Sequence, residues 1–495
     1  MIIADNAPKS PPKATTPLLG DGGASGSGAP PPAYVPRNTG PTPIGTAQVP
    51  YAGYQPAYNQ QRVGQSAARR FCMAFLVAFG IWILASTFVG SIVDGSSRIQ
   101  RPNYDRHGSD YPVPPDVGLE NCFIGWSRSQ KRSPVNGYPY SAEFSLDVRL
   151  PSETLLILAK GAISSGNLKI TMSSVTDMAR VNIAVHYHNT AVRDTAKVCL
   201  VTRKKGETGV GIFTPQQWWD RQRTDRLYFE VELSLPRGSS INGLNTDVNN
   251  FSQDLDNLKD IIDFKNIFLQ GSNGRIHGKT LGATNATLQT TNGEVSVDYL
   301  VAVTAAVRSS NNGISGTYHV RKSLDLTTTN GVIKATVGIN GSDSSNSLIM
   351  RTSNSPIDAI VSLDTTSGTG GRFLVKAETT NGRLTTRIAS APLDSSLVVH
   401  AQTSNAPGSV ALPSTYEGSL LLATSNAGIT LQRVNPGEQD PACKARSDCN
   451  SRTRTVETRE ATKYKRDAVV YWEKKNSARG AVTLQSSNGA VAISV

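Results

Sequence analysis

The stretch that decides the fold reads Thr290-Thr291-Asn292-Gly293, and it recurs as Thr328-Thr329-Asn330-Gly331, Thr379-Thr380-Asn381-Gly382 and Ser486-Ser487-Asn488-Gly489. Weaker copies keep the asparagine, and a Ser or Thr precedes it in every copy. We call these asparagines the asparagine frame. Its members are Asn273, Asn292, Asn311, Asn330, Asn354, Asn381, Asn405, Asn426 and Asn488.

Apolar residues flank each copy of the frame at fixed positions. Four residues before the asparagine the side chain is always apolar, as at Leu288, and three residues after it only Gly408 breaks the rule. Each copy therefore predicts a strand, a tight turn and a second strand, with Asn or Gly at positive φ in the corner. One such unit cannot bury its own apolar face, so the copies must stack.

The fold class predicted from this pattern is all-β, with β-solenoid-like stacked repeats over 265–495. Stacked asparagines would then hydrogen-bond from one repeat to the next along the corner. A large β-sandwich is the alternative, because Asn-Gly is also the strongest signal for a hairpin. An insertion at 432–480 interrupts the repeat, and we expect it to cap the far end of the stack or project from it.

A smaller β region precedes the repeats. Runs of β-branched and aromatic residues with alternating polarity extend over 119–240, and they predict a small sandwich or the irregular end of the solenoid. Between the two regions, Asp254 to Phe264 places Leu255, Leu258, Ile261 and Ile262 at helical spacing. That spacing predicts a short amphipathic helix covering the end of the stack.

The first 67 residues are rich in Pro, Gly, Ser and Ala and almost lack large aliphatic side chains. Such a segment buries too little apolar surface to offset its chain entropy, which predicts a disordered tail over 1–67. Within it, Pro31, Pro32 and Tyr34 form a Pro-Pro-x-Tyr motif that resembles the ligand of WW domains. The motif predicts a WW-domain partner and, as one functional alternative, a trafficking adaptor; an inert tail is the other interpretation.

Residues 71–93 contain no charged side chain and are long enough to cross a bilayer as a helix. The pattern predicts a single-pass membrane protein with a polar stalk over 94–118. Arg69 and Arg70 abut the apolar run, whereas Asp94 follows it. We therefore expect a type II orientation, with a cytosolic N-terminus and the C-terminal domain extracellular or lumenal.

Cysteines and glycosylation sequons beyond residue 93 fit such a compartment. Cys443 and Cys449 would close a short loop through a disulfide. The sequons at Asn250, Asn285 and Asn340 make these residues glycosylation candidates and make the chain a candidate glycoprotein.

The frame positions offer little chemistry for an enzyme. A β-helix glycosidase or lyase needs carboxylates that converge from successive repeats, and no frame position supplies them. Four aspartates of the repeat region do not share one frame position; they are Asp298, Asp325, Asp358 and Asp364. We predict no enzymatic activity and no cofactor, and keep a carbohydrate-active β-helix enzyme as an alternative.

Metal binding and nucleic-acid binding find little support in the sequence. His186 and His188 stand on one side of a predicted strand and could begin a metal site, but no third ligand is identifiable, so no metal is predicted. The formal net charge is +12, yet no Lys/Arg stripe is interleaved with aromatics. We therefore predict no nucleic-acid binding.

The frame from Thr290 to Val295 and from Thr379 to Leu384 resembles the adhesin domain family of bacterial and fungal surface proteins. The resemblance covers 265–495, rests on the turn pattern and supplies no catalytic residue. It implies a stacked β structure, and the layout of tail, anchor and β domain resembles fungal single-pass membrane proteins. The expected function is a non-catalytic adhesion or structural module that contacts cell-wall or surface glycans.

Overall fold

The computed structural model describes residues 110–495 apart from 124–125, 127–130, 151, 174–177, 219–223, 239–240, 260–261, 263, 342–344, 436 and 445–451. The predicted tail, the motif of Pro31, Pro32 and Tyr34, the membrane helix and most of the stalk lie outside these residues. Within the described part, no helix is both long enough and apolar enough to span a bilayer.

Strands make up most of the described chain, as the sequence predicts. The first group is β1 Gly118–Phe123, β2 Lys131–Arg132, β3 Tyr140–Arg149, β4 Ser152–Lys160, β5 Gly166–Ser173, β6 Met178–Tyr187, β7 Lys197–Thr202, β8 Glu207–Phe213 and β9 Leu227–Pro236. A short helix, α1 Thr190–Arg193, lies between β6 and β7.

The repeat region continues the series with longer strands that later divide into shorter ones. They are β10 Ile241–Val248, β11 Phe251–Asn257, β12 Phe264–Gly271, β13 Ile276–Gln289, β14 Val295–Arg308, β15 Ile314–Thr327, β16 Ile333–Gly341, β17 Ser345–Arg351, β18 Ile357–Thr365, β19 Arg372–Glu378, β20 Leu384–Ser390, β21 Ser396–Gln402, β22 Gly408–Ala411, β23 Gly418–Thr424, β24 Ile429–Gln432, β25 Thr455–Ala461, β26 Lys465–Tyr471, β27 Gly480–Ser486 and β28 Val491–Ser494. Two short 3-10 helices cover Pro441–Lys444 and Lys474–Asn476.

Successive repeats pair in parallel and in register. Ile276 aligns with Val295, Val295 with Ile314, and Ile314 with Ile333. These are the apolar residues that stand three positions after each asparagine, so equivalent side chains lie directly above one another. The prediction of stacked repeats is confirmed. The hairpin interpretation is wrong, because the strands flanking each corner pair with neighbouring repeats.

We call two strands joined through one corner an arch. From one end of the described stack to the other, the arches follow in the order β8/β9, β4/β5, β10/β11, β12/β13, β13/β14, β14/β15, β15/β16, β17/β18, β19/β20, β21/β22, β27/β28 and β23/β24. The first strands of the arches form one row and the second strands form another. The long strands β13, β14 and β15 each contribute one half to either row.

The arch order departs from chain order at the C-terminal end. β27 pairs in parallel with β21 on one side and with β23 on the other. β28 lies in the same way between β22 and β24. The last arch of the chain therefore occupies the penultimate position in the stack, and β23/β24 lies beyond it.

The insertion supplies the cap at this end. β26 pairs antiparallel with β23, and β25 pairs antiparallel with β26. Because these strands run antiparallel, the stack does not end in an edge like that of β23, to which a further parallel arch could pair. The cap therefore protects the stack from indefinite extension. The described part of the insertion thus caps the far end, one of the two outcomes expected from the sequence.

The opposite end has the same two features. β4/β5 lies between β8/β9 and β10/β11, so it too is out of chain order. Antiparallel strands β7 and β1 extend one row, and β6 and β3 extend the other. A disulfide between Cys122 and Cys199 joins β1 to β7.

One large hydrophobic core runs through the stack, and a small second cluster around Leu156 and Phe213 lies beside it. It includes Leu155 and Phe229 of the first β region together with Leu288 and Val399 of the repeats. The burial pattern alternates strictly along strands such as β18, because one face of each strand meets the core and the other meets solvent. The region 119–240 and the repeats over 265–495 therefore share one core.

The predicted amphipathic helix from Asp254 to Phe264 is wrong. Phe251–Asn257 is strand β11, and Phe251, Gln253 and Leu255 are buried at period two. Leu258 and Ile262 do enter the core, as the pattern suggested. The spacing of leucines misled the prediction because an alternating strand followed by a bend can imitate helical spacing over so short a segment.

Candidate functional site

The asparagine frame forms one continuous hydrogen-bonded ladder along the corner. The amide Nδ2 of each asparagine donates to Oδ1 of the asparagine in the preceding arch, at 2.6 to 2.9 Å. In stack order the described ladder reads Asn250, Asn273, Asn292, Asn311, Asn330, Asn354, Asn381, Asn405, Asn488 and Asn426.

Two features of the ladder were not expected from the sequence. Asn250 begins it, although it stood outside the frame, and its Nδ2 donates to the Ser164 carbonyl at 3.1 Å. Asn488 precedes Asn426, because the last arch is intercalated.

In every copy of the frame but the first, where Gly271 stands, a hydroxyl two residues before the asparagine closes the corner from the inside. Thr290 is buried, and its Oγ1 donates to the Gly274 carbonyl of the preceding arch at 3.2 Å while accepting from the Gly293 amide at 3.2 Å. Thr379 makes the matching pair of bonds. Because a hydroxyl such as that of Thr290 or Thr379 satisfies two buried backbone groups, Ser or Thr is favoured at this position.

Glycine is required after many of the asparagines for a steric reason. A Cβ at Gly331 would lie 1.8 Å from the Asn312 carbonyl oxygen, and one at Gly382 would lie 1.8 Å from that of Ser355. No asparagine of the frame has positive φ among the described residues, and neither do these glycines. The expectation of positive φ in the corner is therefore wrong. Glycine is favoured at these positions because the backbone of the preceding arch leaves no room for a Cβ.

The outer edge of the corner offers repeated polar groups to a ligand. Each interior asparagine uses one N–H and one acceptor site within the ladder, which leaves a second N–H and a second lone pair for solvent. Thr291, Thr329 and Thr380 are exposed beside it. Donors and acceptors therefore repeat at the arch spacing of about 4.8 Å.

The four aspartates considered for the alternative of a β-helix enzyme have separate surroundings. Asp325 is near Arg308 and accepts a hydrogen bond from Thr327, whereas Asp358 aligns with Lys334 on the other row of strands. Asp364 aligns with Asn340, and Asp298 lies on β14. In the described chain, no group of three His, Cys, Asp or Glu side chains is placed to hold a metal.

His186 and His188 have separate surroundings. His186 is 1% exposed, with Nδ1 at 2.9 Å from Ser133 Oγ and Nε2 at 3.1 Å from Glu230 Oε2. It thereby ties the 131–140 loop to β9. The His188 ring instead packs against Tyr138, with ring centroids 5.3 Å apart.

The 131–140 loop and His188 border an open groove of about 920 Å³. β2 pairs with Tyr140 and Ser141 of β3, which makes the loop a hairpin. Burial raises the pKa of Tyr138; nearby Arg226 lowers it and Tyr228 raises it, so the phenol stays protonated and available as a donor at neutral pH. This groove carried no signal in the sequence analysis.

A buried carboxylate organises the C-terminal cap. Glu417 is 7% exposed, and its Oε1 accepts from the backbone amides of Trp472 and Glu473 at 2.8 and 3.1 Å. Its Oε2 accepts from Asn476 Nδ2 and Arg479 Nη1 at 2.8 and 3.0 Å. Glu417 thus fastens the residues after β26 to the start of β23.

Arg454 supports the same cap from inside. It is 3% exposed, and its Nη2 donates to the carbonyls of Pro413 and Tyr416 at 3.0 and 3.2 Å. Burial lowers the pKa of its guanidinium. Neither Glu417 nor Arg454 stood out in the sequence, because their partners are distant in the chain.

The modification candidates have different environments. Asn340 is exposed on β16. Asn285 is exposed but donates to Asn266 and accepts from Thr304 in a second, shorter ladder. Asn250 is half-buried and begins the main ladder.

The predicted disulfide between Cys443 and Cys449 stays a prediction. Cys443 is disulfide-bonded, and Cys449 lies outside the described residues.

Comparisons with known proteins add a family match over part of the repeats. A model of DUF7330, a domain of unknown function, matches residues 284–434. No curated protein matches the sequence.

Solved structures similar to the chain include proteins described as a putative lipid-binding protein of Parabacteroides distasonis, a putative adhesin of Bacteroides fragilis and a putative cell adhesion protein of Clostridium sporogenes. Identities are 10%, 15% and 9%, and TM-scores are 0.30, 0.22 and 0.15. The matches cover 54%, 52% and 72% of this chain and 98%, 97% and 99% of those chains. At such TM-scores, these likenesses carry no argument about function.

Proposed function

We propose that the chain is a non-catalytic adhesion module that contacts cell-wall or surface glycans through its asparagine corner. The observation that carries the proposal is the continuous ladder from Asn250 to Asn426, with donors and acceptors left over at every step. A polymer of sugar hydroxyls can meet such an edge through many weak hydrogen bonds at once. Multivalent contact of this kind gives useful avidity without a deep pocket.

The surroundings of the corner support a passive role. The ladder is fixed from inside by buried hydroxyls such as Thr328, whose Oγ1 donates to the Asn312 carbonyl at 3.0 Å. A rigid edge loses little conformational entropy on binding. We further propose that residues 71–93 anchor the module in a membrane as a type II protein, with the β domain extracellular or lumenal.

Retention of the purified full-length chain on insoluble cell-wall polysaccharide tests the binding proposal. Thr329→Glu with Thr380→Glu places bulk and charge on the corner without removing any ladder asparagine. The matched control is Thr336→Glu with Ser362→Glu, at exposed positions on β16 and β18. We expect the corner pair to weaken retention about tenfold and the control pair to change it less than about twofold. Equal retention by both pairs, at unchanged melting temperature, would contradict the corner as the contact surface.

Protease protection of the full chain in sealed membrane vesicles tests the anchor. Tags at both ends should show the N-terminal tag digested from the cytosolic side and the C-terminal tag protected. Cleavage of the C-terminal tag from the cytosolic side would show the opposite orientation and contradict the type II proposal. Loss of the chain from the vesicles on alkaline washing would contradict the proposal that residues 71–93 anchor it in the membrane.

A further inference from the structure

The groove beside the 131–140 loop has the composition of a sugar site. Tyr138 and Tyr140 are two of its lining rings, and the His188 ring lies beside Tyr138. Tyr140 is 38% exposed, so its ring is accessible from the groove side of the domain. Exposed tyrosine rings offer an apolar face for the C–H groups of a sugar and a hydroxyl for its polar edge.

The loop that carries these rings is held in place. The Ser133 amide donates to the Pro139 carbonyl at 3.2 Å, and the Tyr138 amide donates to the Val135 carbonyl at 3.2 Å. The hydrogen bond between Ser133 and the buried ring of His186 joins the loop to β6. A loop fixed by such bonds presents its rings with little ordering cost on binding.

The charges beside the groove are mostly positive. Lys131 and Arg132 line it, and Arg226 lies close enough to lower the pKa of Tyr138. Lys131 is paired with Glu143 at 2.8 Å. Arg132 is exposed and has no ion-pair partner among the residues that the structure describes. Guanidinium groups recognise carboxylates through paired N–H donors.

His188 adds an unsatisfied polar atom. Its Nδ1 is buried and has no hydrogen-bond partner within the described chain. Buried polar atoms usually find a partner, and a turn of the His188 ring toward the groove that it lines would let this nitrogen meet one there. A sugar hydroxyl can serve as its donor or acceptor, whichever tautomer the ring adopts.

We propose that this groove binds an acidic sugar residue, a uronic acid of a surface polysaccharide, with Tyr138 and Tyr140 against the sugar ring and Arg132 on its carboxylate. The inference rests on the proposed glycan contact and deepens it: the corner supplies weak contacts along the polymer, and the groove selects an acidic residue.

Calorimetric titration of the full-length chain with a galacturonic acid trimer and with the matched neutral galactose trimer tests the groove. We expect the acidic trimer to bind at least about tenfold more tightly. Tyr138→Ala and Arg132→Gln should each weaken acidic-trimer binding about tenfold, and Arg132→Gln should also reduce the preference over the neutral trimer. The controls Tyr464→Ala, at the opposite cap, and Arg321→Gln, exposed on β15, should leave both affinities unchanged.

The following results would each overturn the inference while leaving the proposed function in place. One is equal affinity for both trimers with polysaccharide retention still dependent on Thr329 and Thr380. Another is unchanged acidic-trimer binding in Arg132→Gln and Tyr138→Ala. Competition by inorganic phosphate as effective as the acidic trimer itself would also overturn it, because the site would then recognise an anion and not a sugar. Absence of binding to polysaccharide and to both trimers would contradict the inference and the proposed function together.

Discussion

The middle of the stack and its two ends are built by different rules. In the middle, from β12 to β22, each arch follows the previous one in the chain and repeats the same corner. At both ends an arch is out of chain order, and antiparallel strands close the stack. A repeated arch fits any neighbour of the same kind, whereas an end requires contacts that occur once.

The two regions also differ in how their polar groups are satisfied. The middle relies on many equivalent hydrogen bonds near the surface, such as Asn292 to Asn273 at 2.6 Å. The C-terminal end relies on a few buried charges, of which Glu417 has four donors. We therefore expect single substitutions to cost more at the cap than on the ladder.

The largest expected effect is at the cap. Glu417→Ala removes a buried carboxylate that accepts from the Asn476 amide and from two backbone amides, which should lower the free energy of unfolding by roughly 3 kcal/mol. Denaturant unfolding of the full chain measures it. Glu460→Gln, which breaks the exposed pair with Lys465, is the matched control and should leave stability nearly unchanged. Similar losses of unfolding free energy in both variants would contradict a special role of Glu417 in the cap.

A smaller but still large effect is expected inside the regular region. Gly331→Ala forces a Cβ against the Asn312 carbonyl and should cost about 2 to 3 kcal/mol, because backbone on both sides must shift. Gly428→Ala is the control, since a Cβ there meets nothing within 4 Å. Thermal unfolding of the two variants should separate them clearly. A neutral Gly331→Ala would show that the corner can adopt another turn at no cost.

The ladder itself should show a modest effect per step. Asn311→Ala breaks two hydrogen bonds, to Asn292 and from Asn330, at a solvent-exposed position. We expect a loss of about 1 kcal/mol in the free energy of unfolding. Thr336→Ala on the exposed face of β16 should be nearly neutral. If Asn311→Ala lowered the free energy of unfolding as much as Glu417→Ala, the middle and the end of the stack would not differ in their sensitivity to substitution.

The smallest effect depends on pH. Burial tends to raise the pKa of Glu378, but hydrogen bonds from Lys376 and Arg351 hold it below its ordinary value. Folding therefore favours the charged form; this stabilisation is present above the ordinary glutamate pKa and is lost as pH falls through the lower folded value. Glu378→Gln should be less stable at pH 7 by about 0.5 kcal/mol, with the difference fading below about pH 4.

Unfolding midpoints measured between neutral and acid pH test this sign. Glu294→Gln, an exposed acid in another corner, serves as the control. A Glu378→Gln difference that grows toward acid pH would contradict the assigned direction.

The corner was readable in advance because its constraints are local and repeated. Thr290, Asn292 and Gly293 each have a fixed structural role. A role that recurs from arch to arch produces a periodic pattern in the sequence. The physical reason for the glycine was nevertheless misjudged, since backbone conformation was expected to decide and the neighbouring arch decides instead. The groove and the Glu417 cluster produce no periodic sequence pattern, because each occurs once and joins residues far apart in sequence.

The amino-acid sequence by itself determined the all-β class, the direction in which side chains face along each strand and the stacking of equivalent corners. These follow from the alternation of apolar residues and from one short motif. Only the tertiary structure decided where each arch sits. An arch presents the same hydrogen-bonding edges and the same apolar seam whatever its place in the chain, so local sequence cannot fix the order. The tertiary structure places β27/β28 between β21/β22 and β23/β24, next to the cap contacts that occur once.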